Sequence, residues 1–472
     1  MDATTETIVD FVAGVDGNTI TDRTFHHVRR RLVDSFGCAV AAIDCPPAVI
    51  AREIASETTS TAPATVIGLA RPSTVELAAF ANTVMVRYLD CNDMYFTARG
   101  GGGHPSDMIP TALAVGEAVA ATGPEVMAAI VIGYEVNGAL ASGVWLRERG
   151  WDQGLNIVAA TSMMAGALLR LDRDQLGHAL ALAVTPNVPV RQTRVGHLSM
   201  WKGCATAGAV RNGIFAATLA QRGMTGPPKP FEGSSGIWDQ VTGPFELQFP
   251  VSADEFVIED VHTKIRPAEY NAQGPIDLAL DVRDGLDLDD IDAIELETYW
   301  LAYHEIGMDP PKWDPRTRET ADHSLPYLIA VALVDGVIDQ QSCAPERVID
   351  PALRPLMNKI SIRERAEFTE RFPSEIISRL VVRLTNGEEV VRQTSYPRGH
   401  RRNPVTDGEI DEKFDRMVVD RDASDLELCS RLREQLWGLD DVKDIADVMR
   451  PLGGLAALTQ PAAGRATERT DG

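Results

Sequence analysis

Residues 87–118, RYLDCNDMYFTARGGGGHPSDMIPTALAVGEA, gather Asp90, Asn92, Asp93, Tyr95, Thr97, His104 and Asp107 around four consecutive glycines, Gly100 to Gly103. Carboxylates, phenol, hydroxyl and imidazole at this density are the groups that move protons. His104 is the first choice for a base, because an imidazole ordinarily titrates at about 6.5, close to working pH. The glycines let the backbone approach a ligand and set His104 beside it. A helix is expected next, with Ser106 or Asp107 as N-cap and Pro110 in the first turn. Its unpaired N–H groups suit a bound carboxylate or phosphate. The plainer alternative is a mobile surface loop with an ordinary cap.

A second stretch supplies the opposite charge. Residues 185–213, TPNVPVRQTRVGHLSMWKGCATAGAVRNG, hold Arg191, Arg194, His197, Lys202 and Arg211 with no Asp or Glu between them. The whole chain has 45 Lys plus Arg against 68 Asp plus Glu, a formal charge of −23, so this island stands out. One reading is a carboxylate clamp built on Lys202 and the arginines; the other is a solvated basic loop paired with acidic neighbours. The acidic total argues against nucleic acid and against anionic membrane surfaces as partners.

The elements that must position these groups read as helices first. Helices are expected over 6–56 (interrupted at Pro46–Pro47), 73–90, 108–122, 124–149, 155–170, 173–184 and from about 203 to Arg222, with a small hairpin over 61–70. Gly133, Gly138 and Gly143 in the helix at 124–149 suggest that another helix crosses it closely. Residues 223–250 read as ordered loop. Beyond about 262 the texture becomes mixed: helix 272–284, a strand over 291–307, a helix from about Ser324, a strand at 359–368, and a hairpin over 377–397 turning at Asn386–Gly387 as type I′. Helices return at 406–421, 424–435 and 439–450, and the tail from 456 to 472 is disordered by composition. The start, MDATTETIVDFVAG, has no basic stretch typical of a signal peptide, and no apolar run reaches the roughly 18 residues of a membrane span, so a cytoplasmic protein is expected. The six cysteines are scattered without a C-x-x-C pair, which suits buried thiols and argues against an iron–sulfur cluster or structural zinc.

RYLDCNDMYFT, GGGHPSD, LSMWKGCATAGAVRNG, PAEYNAQ and ETADHSLPYLIAVALVDG occur in an order that resembles the 2-methylcitrate dehydratase family, MmgE/PrpD, over roughly residues 5–450. The family also includes cis-aconitate decarboxylases and an iminodisuccinate epimerase. The resemblance implies a mainly α fold: a large all-helical domain from both chain ends (1–262 and 405–455), with a smaller α+β lid domain (263–404) inserted. It implies a site between the domains, a homodimer, and no cofactor or metal in the chemistry. Asp93, Thr97 and His104 match the family's first active-site motif, Lys202 its W-K-G lysine and Tyr327 its H-S-x-x-Y tyrosine. Two positions depart. Asn271 stands where a histidine is usual, and residues 151–159 contain no histidine. Asn can hold a carboxylate but cannot exchange a proton at neutral pH.

The expected activity is a hydro-lyase acting on a small di- or tricarboxylate. His104, Asp93, Lys202 and Tyr327 are the expected catalytic groups; Thr97, Arg191, Arg194, Ser106 and Asn271 would bind substrate. A base must take a proton next to a carboxylate, an acid must assist the leaving hydroxyl, and cations must hold the developing charge. An epimerase or decarboxylase on a related acid, or a non-catalytic binding member of the family, are the alternatives. His304 is expected to be structural, and His323 a lid contact or cap.

Overall fold

The structure is a computed structural model that describes residues 1–15, 17, 20–98, 100–250 and 256–455. The tail expected to be disordered, 456–472, lies outside them. The described chain is mainly helical, with a single mixed four-stranded sheet.

One hydrophobic core joins both ends of the chain, from Ile8 to Val261 and from Val405 to Leu455. Its helices are α1 Ala3–Gly14, α2 Asp22–Ala41, α3 Pro46–Ser56, α4 Val75–Tyr88, α5 Ile109–Val119, α6 Gly123–Gly143, α7 Gly154–Leu168, α8 Arg173–Val184 and α9 Ala205–Gln221. Small residues set how closely they approach. A Cβ on Gly133 of α6 would lie 2.1 Å from the Met164 methyl of α7, and one on Gly213 of α9 would lie 2.7 Å from the Thr161 side chain. The α7–α9 crossing therefore requires glycine, whereas at Gly133 the flexible Met164 tip would have to turn aside. Helix α6 is long and apolar enough to cross a membrane, yet 83% of its apolar window is buried within the fold, as in a core helix.

A second core takes its buried residues from Ala268 to Val382. Here α10 Gln273–Arg283 and α11 Leu325–Asp335 pack on the sheet β1 Ile291–Thr298, β2 Ile360–Glu364, β3 Ser378–Leu384 and β4 Glu389–Thr394. The strand order is β2-β1-β3-β4, parallel between β1 and β2 and antiparallel elsewhere. Ile294 and Leu296 point into this core, while Glu297 on the opposite face accepts from Arg363, Arg365 and Arg379. Burial alone would raise the Glu297 carboxyl, but the three guanidiniums outweigh it and hold it down at about 2. The chain then returns through α12 Asp407–Val418 and α13 Ala423–Trp437 to the first core.

Several local expectations need correction. The strand expected over 291–307 ends at Thr298, and Trp300–Gly307 turns helically, because the apolar residues after Tyr299 pack at helical spacing. The helix expected to 149 stops at Gly143, and 439–450 holds only short turns. Residues 61–70 form no hairpin; a single bridge joins Ala64 to Ser73. The β3–β4 turn is not type I′, since Asn386 keeps a negative φ and only Gly387 is left-handed, at 87°. Gly387 donates to Leu384 and Leu384 to Glu388, the pattern of a type I turn followed by a bulge.

Candidate active site

The chain leaves α4 and reverses at Asp90, whose φ of 52° places it in the left-handed region that Asp tolerates better than most residues. Its carboxylate meets the Arg87 guanidinium at 2.9 Å, the Lys202 ammonium at 3.1 Å, and the Lys264 ammonium. Burial opposes that charge, yet Arg87, Lys202 and Lys264 together hold the carboxyl well below the usual range. Lys202 also lies 2.9 Å from both oxygens of Asp322. Asp322 in turn accepts from His323 Nδ1 at 2.6 Å, and burial pushes that imidazole down to about 4. Ligand atoms of Asp90, Asp322 and His323 lie within 4.8 Å of one another, spacing compatible with a cation. The Lys202 ammonium contacts both carboxylates, so the chain supplies that cation itself.

The glycine run folds back from this cluster. Tyr95 pairs with Gly103, and the Thr97 hydroxyl donates to the Gly100 carbonyl at 3.0 Å. Gly103 has φ 84°, and a Cβ there would meet the Gln153 side chain at 2.1 Å. His104 then turns Nδ1 onto the Asp93 carbonyl at 2.6 Å. A carbonyl only accepts, so Nδ1 carries the hydrogen and Nε2 the lone pair. Burial, aided by Arg87 and Lys264, holds the imidazole well below 6.5 and therefore neutral.

His104, Lys202, Arg191 and Arg194 line one cavity of about 140 Å³ between the two cores. The basic island is thus divided: Arg191 and Arg194 pair with Glu305 and Asp152, while His197 and Arg211 are exposed. The other expected residues do not line the cavity. The buried Asp93 carboxylate accepts from the Ser106 N–H and hydroxyl and from Tyr134, so it builds the floor beneath His104. Ser106 is spent on that contact and caps no helix; α5 starts from Met108 without a side-chain cap. The Tyr327 hydroxyl donates to the Ser342 carbonyl at 2.7 Å inside the second core.

Asn271 also sits behind the cavity. Its N–H and side-chain amide donate to Glu269 at 2.6 and 2.8 Å, and Tyr299 donates to its oxygen. Glu269 itself lines the cavity, and burial pushes its carboxyl up to about 7. The sequence reading passed over Glu269, two residues before the departing position. It also missed Lys312, which lines the cavity with 3% of its surface exposed and, among the described residues, forms no ion pair. Nothing in the local sequence around Lys312 marks it. His323, expected as a lid contact or cap, lines the cavity too.

Residues 6–250 match the MmgE/PrpD N-terminal domain and residues 267–439 the MmgE/PrpD C-terminal domain. The chain belongs to the MmgE/PrpD family. Among its relatives, 2-methylcitrate dehydratase of Cupriavidus necator is 27% identical over 427 residues, covering 84% of this chain and 85% of the relative. The Salmonella typhi 2-methylcitrate dehydratase is 28% identical over 426 residues, 84% of this chain and 86% of the relative. An alkylcitrate dehydratase from a fungal species is 27% identical over 442 residues, 84% of each chain.

Proposed function

We propose that this MmgE/PrpD member is a hydro-lyase that removes water from a small hydroxy-tricarboxylate of the 2-methylcitrate type. The dehydratase names of its relatives support a dehydratase-family function. The observation that carries the finer reading is a neutral imidazole and a carboxyl poised near neutral pH facing one cation-lined cavity.

In this reading His104 Nε2 takes a proton from the carbon next to a substrate carboxylate. The C–H electron pair becomes the new C=C bond as the C–O bond on the neighbouring carbon breaks. Glu269 gives its proton to the departing hydroxyl, which leaves as water. Asn271 cannot itself donate that proton, but it orients the group that does. Lys312 faces the charge that builds on the carboxylate as the proton leaves.

The test is to incubate the protein with 2-methylcitrate and with citrate in heavy water, following ultraviolet absorbance and proton NMR. An alkene product that disappears in His104→Gln is the expected result. Deuterium entering recovered substrate without an alkene would instead mean epimerisation, and no change with either acid would overturn the proposal.

A further inference from the structure

Three cations of the cavity are neutralised by carboxylates buried in fixed networks: Arg87 by Asp90, Lys202 by Asp90 and Asp322, and Arg194 by Asp152 at 2.8 Å. Arg147 and Arg191 are different. They are brought together by a short backbone ladder within the helical core: Arg191 donates to the Gly150 carbonyl, Trp151 bridges Val190, and Asp152 donates to Pro189. Their shared counter-charge, Glu305, comes from the other side of the cavity, on the turn Tyr303–Gly307 that follows β1. Arg191 reaches both Glu305 oxygens, at 2.8 and 3.0 Å, and Arg147 contacts one of them. All three side chains are about four-fifths buried, at 20%, 21% and 23% exposure, and all three line the cavity. Two adjacent guanidiniums share one carboxylate, so the group remains short of negative charge.

A carboxylate held between two guanidiniums is also how a protein grips a carboxylate ligand. We infer that Arg147 and Arg191 form a subsite for a substrate carboxylate remote from the reacting carbon, and that Glu305 fills this subsite until the substrate displaces it. The inference rests on the reading of this cavity as a carboxylate site and deepens it. The preferred ligand carries at least two carboxylates: one near His104 and Lys312, the other on the arginine pair. Displacement also releases the ion pairs that Glu305 makes across the cavity with Arg147 and Arg191.

The experiment reads binding without turnover. Propane-1,2,3-tricarboxylate has no hydroxyl to lose and serves as the probe, with acetate as a single-carboxylate control, by titration calorimetry on the full chain. Removing the competing charge with Glu305→Gln is expected to tighten the probe about ten-fold, as loss of a charge-assisted contact implies. Arg191→Gln is expected to weaken it about ten-fold and leave acetate unchanged. Unchanged or weaker probe binding in Glu305→Gln would overturn the inference. If that variant does not fold, Glu305→Asp, which pulls the carboxylate back from Arg147, is read in the same way. Turnover of 2-methylcitrate with no response to Glu305 would sink this inference alone, and a Glu305 response without any dehydration would sink the proposed reaction alone.

Discussion

The Nδ1 of His104 donates to the backbone carbonyl of Asp93 across 2.6 Å. The partner is main chain, so the tautomer is fixed by the path of the backbone rather than by a titrating side chain. The carboxylate of the same Asp93 is held by Ser106 and Tyr134, which keeps that carbonyl in place. An imidazole held in this way needs no carboxylate partner to orient it, and its lone pair stays available at mildly acidic pH.

Turnover is expected to fall on the alkaline side. Glu269 must be protonated to donate, so kcat/KM should drop as pH rises through about 7, where its carboxyl titrates. The acid limb lies lower than an ordinary histidine would set it, because His104 gains a proton only well below 6.5. Glu269→Gln should lower kcat by about 100-fold and abolish the alkaline limb. A profile that stays flat to pH 9 in the parent protein would show that another group supplies the proton.

Tyr327→Phe separates a structural from a chemical role. Its hydroxyl is bonded to the Ser342 carbonyl within the second core. Loss of that hydroxyl should cost about 1 kcal/mol in chemical unfolding and leave kcat within about three-fold of the parent. A hundred-fold loss of kcat at unchanged stability would put the tyrosine back into the chemistry.

Gly213→Ala tests the α7–α9 crossing. The new methyl would press on the Thr161 side chain at 2.7 Å and the Val158 carbonyl at 2.8 Å. Neither atom belongs to a flexible side-chain tip, so the helices must separate. A loss of about 1–3 kcal/mol is expected from thermal or urea unfolding.

Glu297 should make stability depend on acidity. Its carboxyl titrates at about 2 in the folded protein, against about 4.3 in an unfolded chain. The folded value is the lower, so the stabilisation is complete above the unfolded value and is lost as pH falls from about 4 towards about 2. Glu297→Gln should lower stability at pH 7 and flatten that part of the pH curve. Parallel curves for the two proteins would show that the arginine clamp contributes nothing measurable.

The fold class was legible because it depends on periodicity that survives without tertiary knowledge: Phe25, Val28, Leu32 and Phe36 at helical spacing, and Ile294 and Leu296 at alternating positions. What failed was local. The alternation of β1 ends at Thr298, and beyond it the buried Leu301, Ala302 and Ile306 fall at helical spacing, so Trp300 to Gly307 turn instead of extending the strand. The site was legible in part. His104 and Lys202 stand in dense stretches of functional groups and do share a cavity. Lys312 and Glu305 could not be found that way, since only the folded chain carries them from sequence-remote turns to that cavity. Ser106 illustrates the opposite error: a residue suited to cap a helix was taken up by a nearer carboxylate.

The C-terminal helix α12 sends Lys413 into the first core, where its ammonium meets Asp34 and donates to the carbonyls of Cys91 at 2.6 Å and Lys264 at 2.7 Å. Cys91 follows Asp90 in sequence and the Lys264 ammonium contacts it, so a helix from beyond the mixed-sheet insert braces the floor of the candidate site. During synthesis that brace is added only after the mixed-sheet insert has been made. The expectation is that a nascent chain arrested before α12 binds no carboxylate, and that competence arrives abruptly once that helix clears the ribosome.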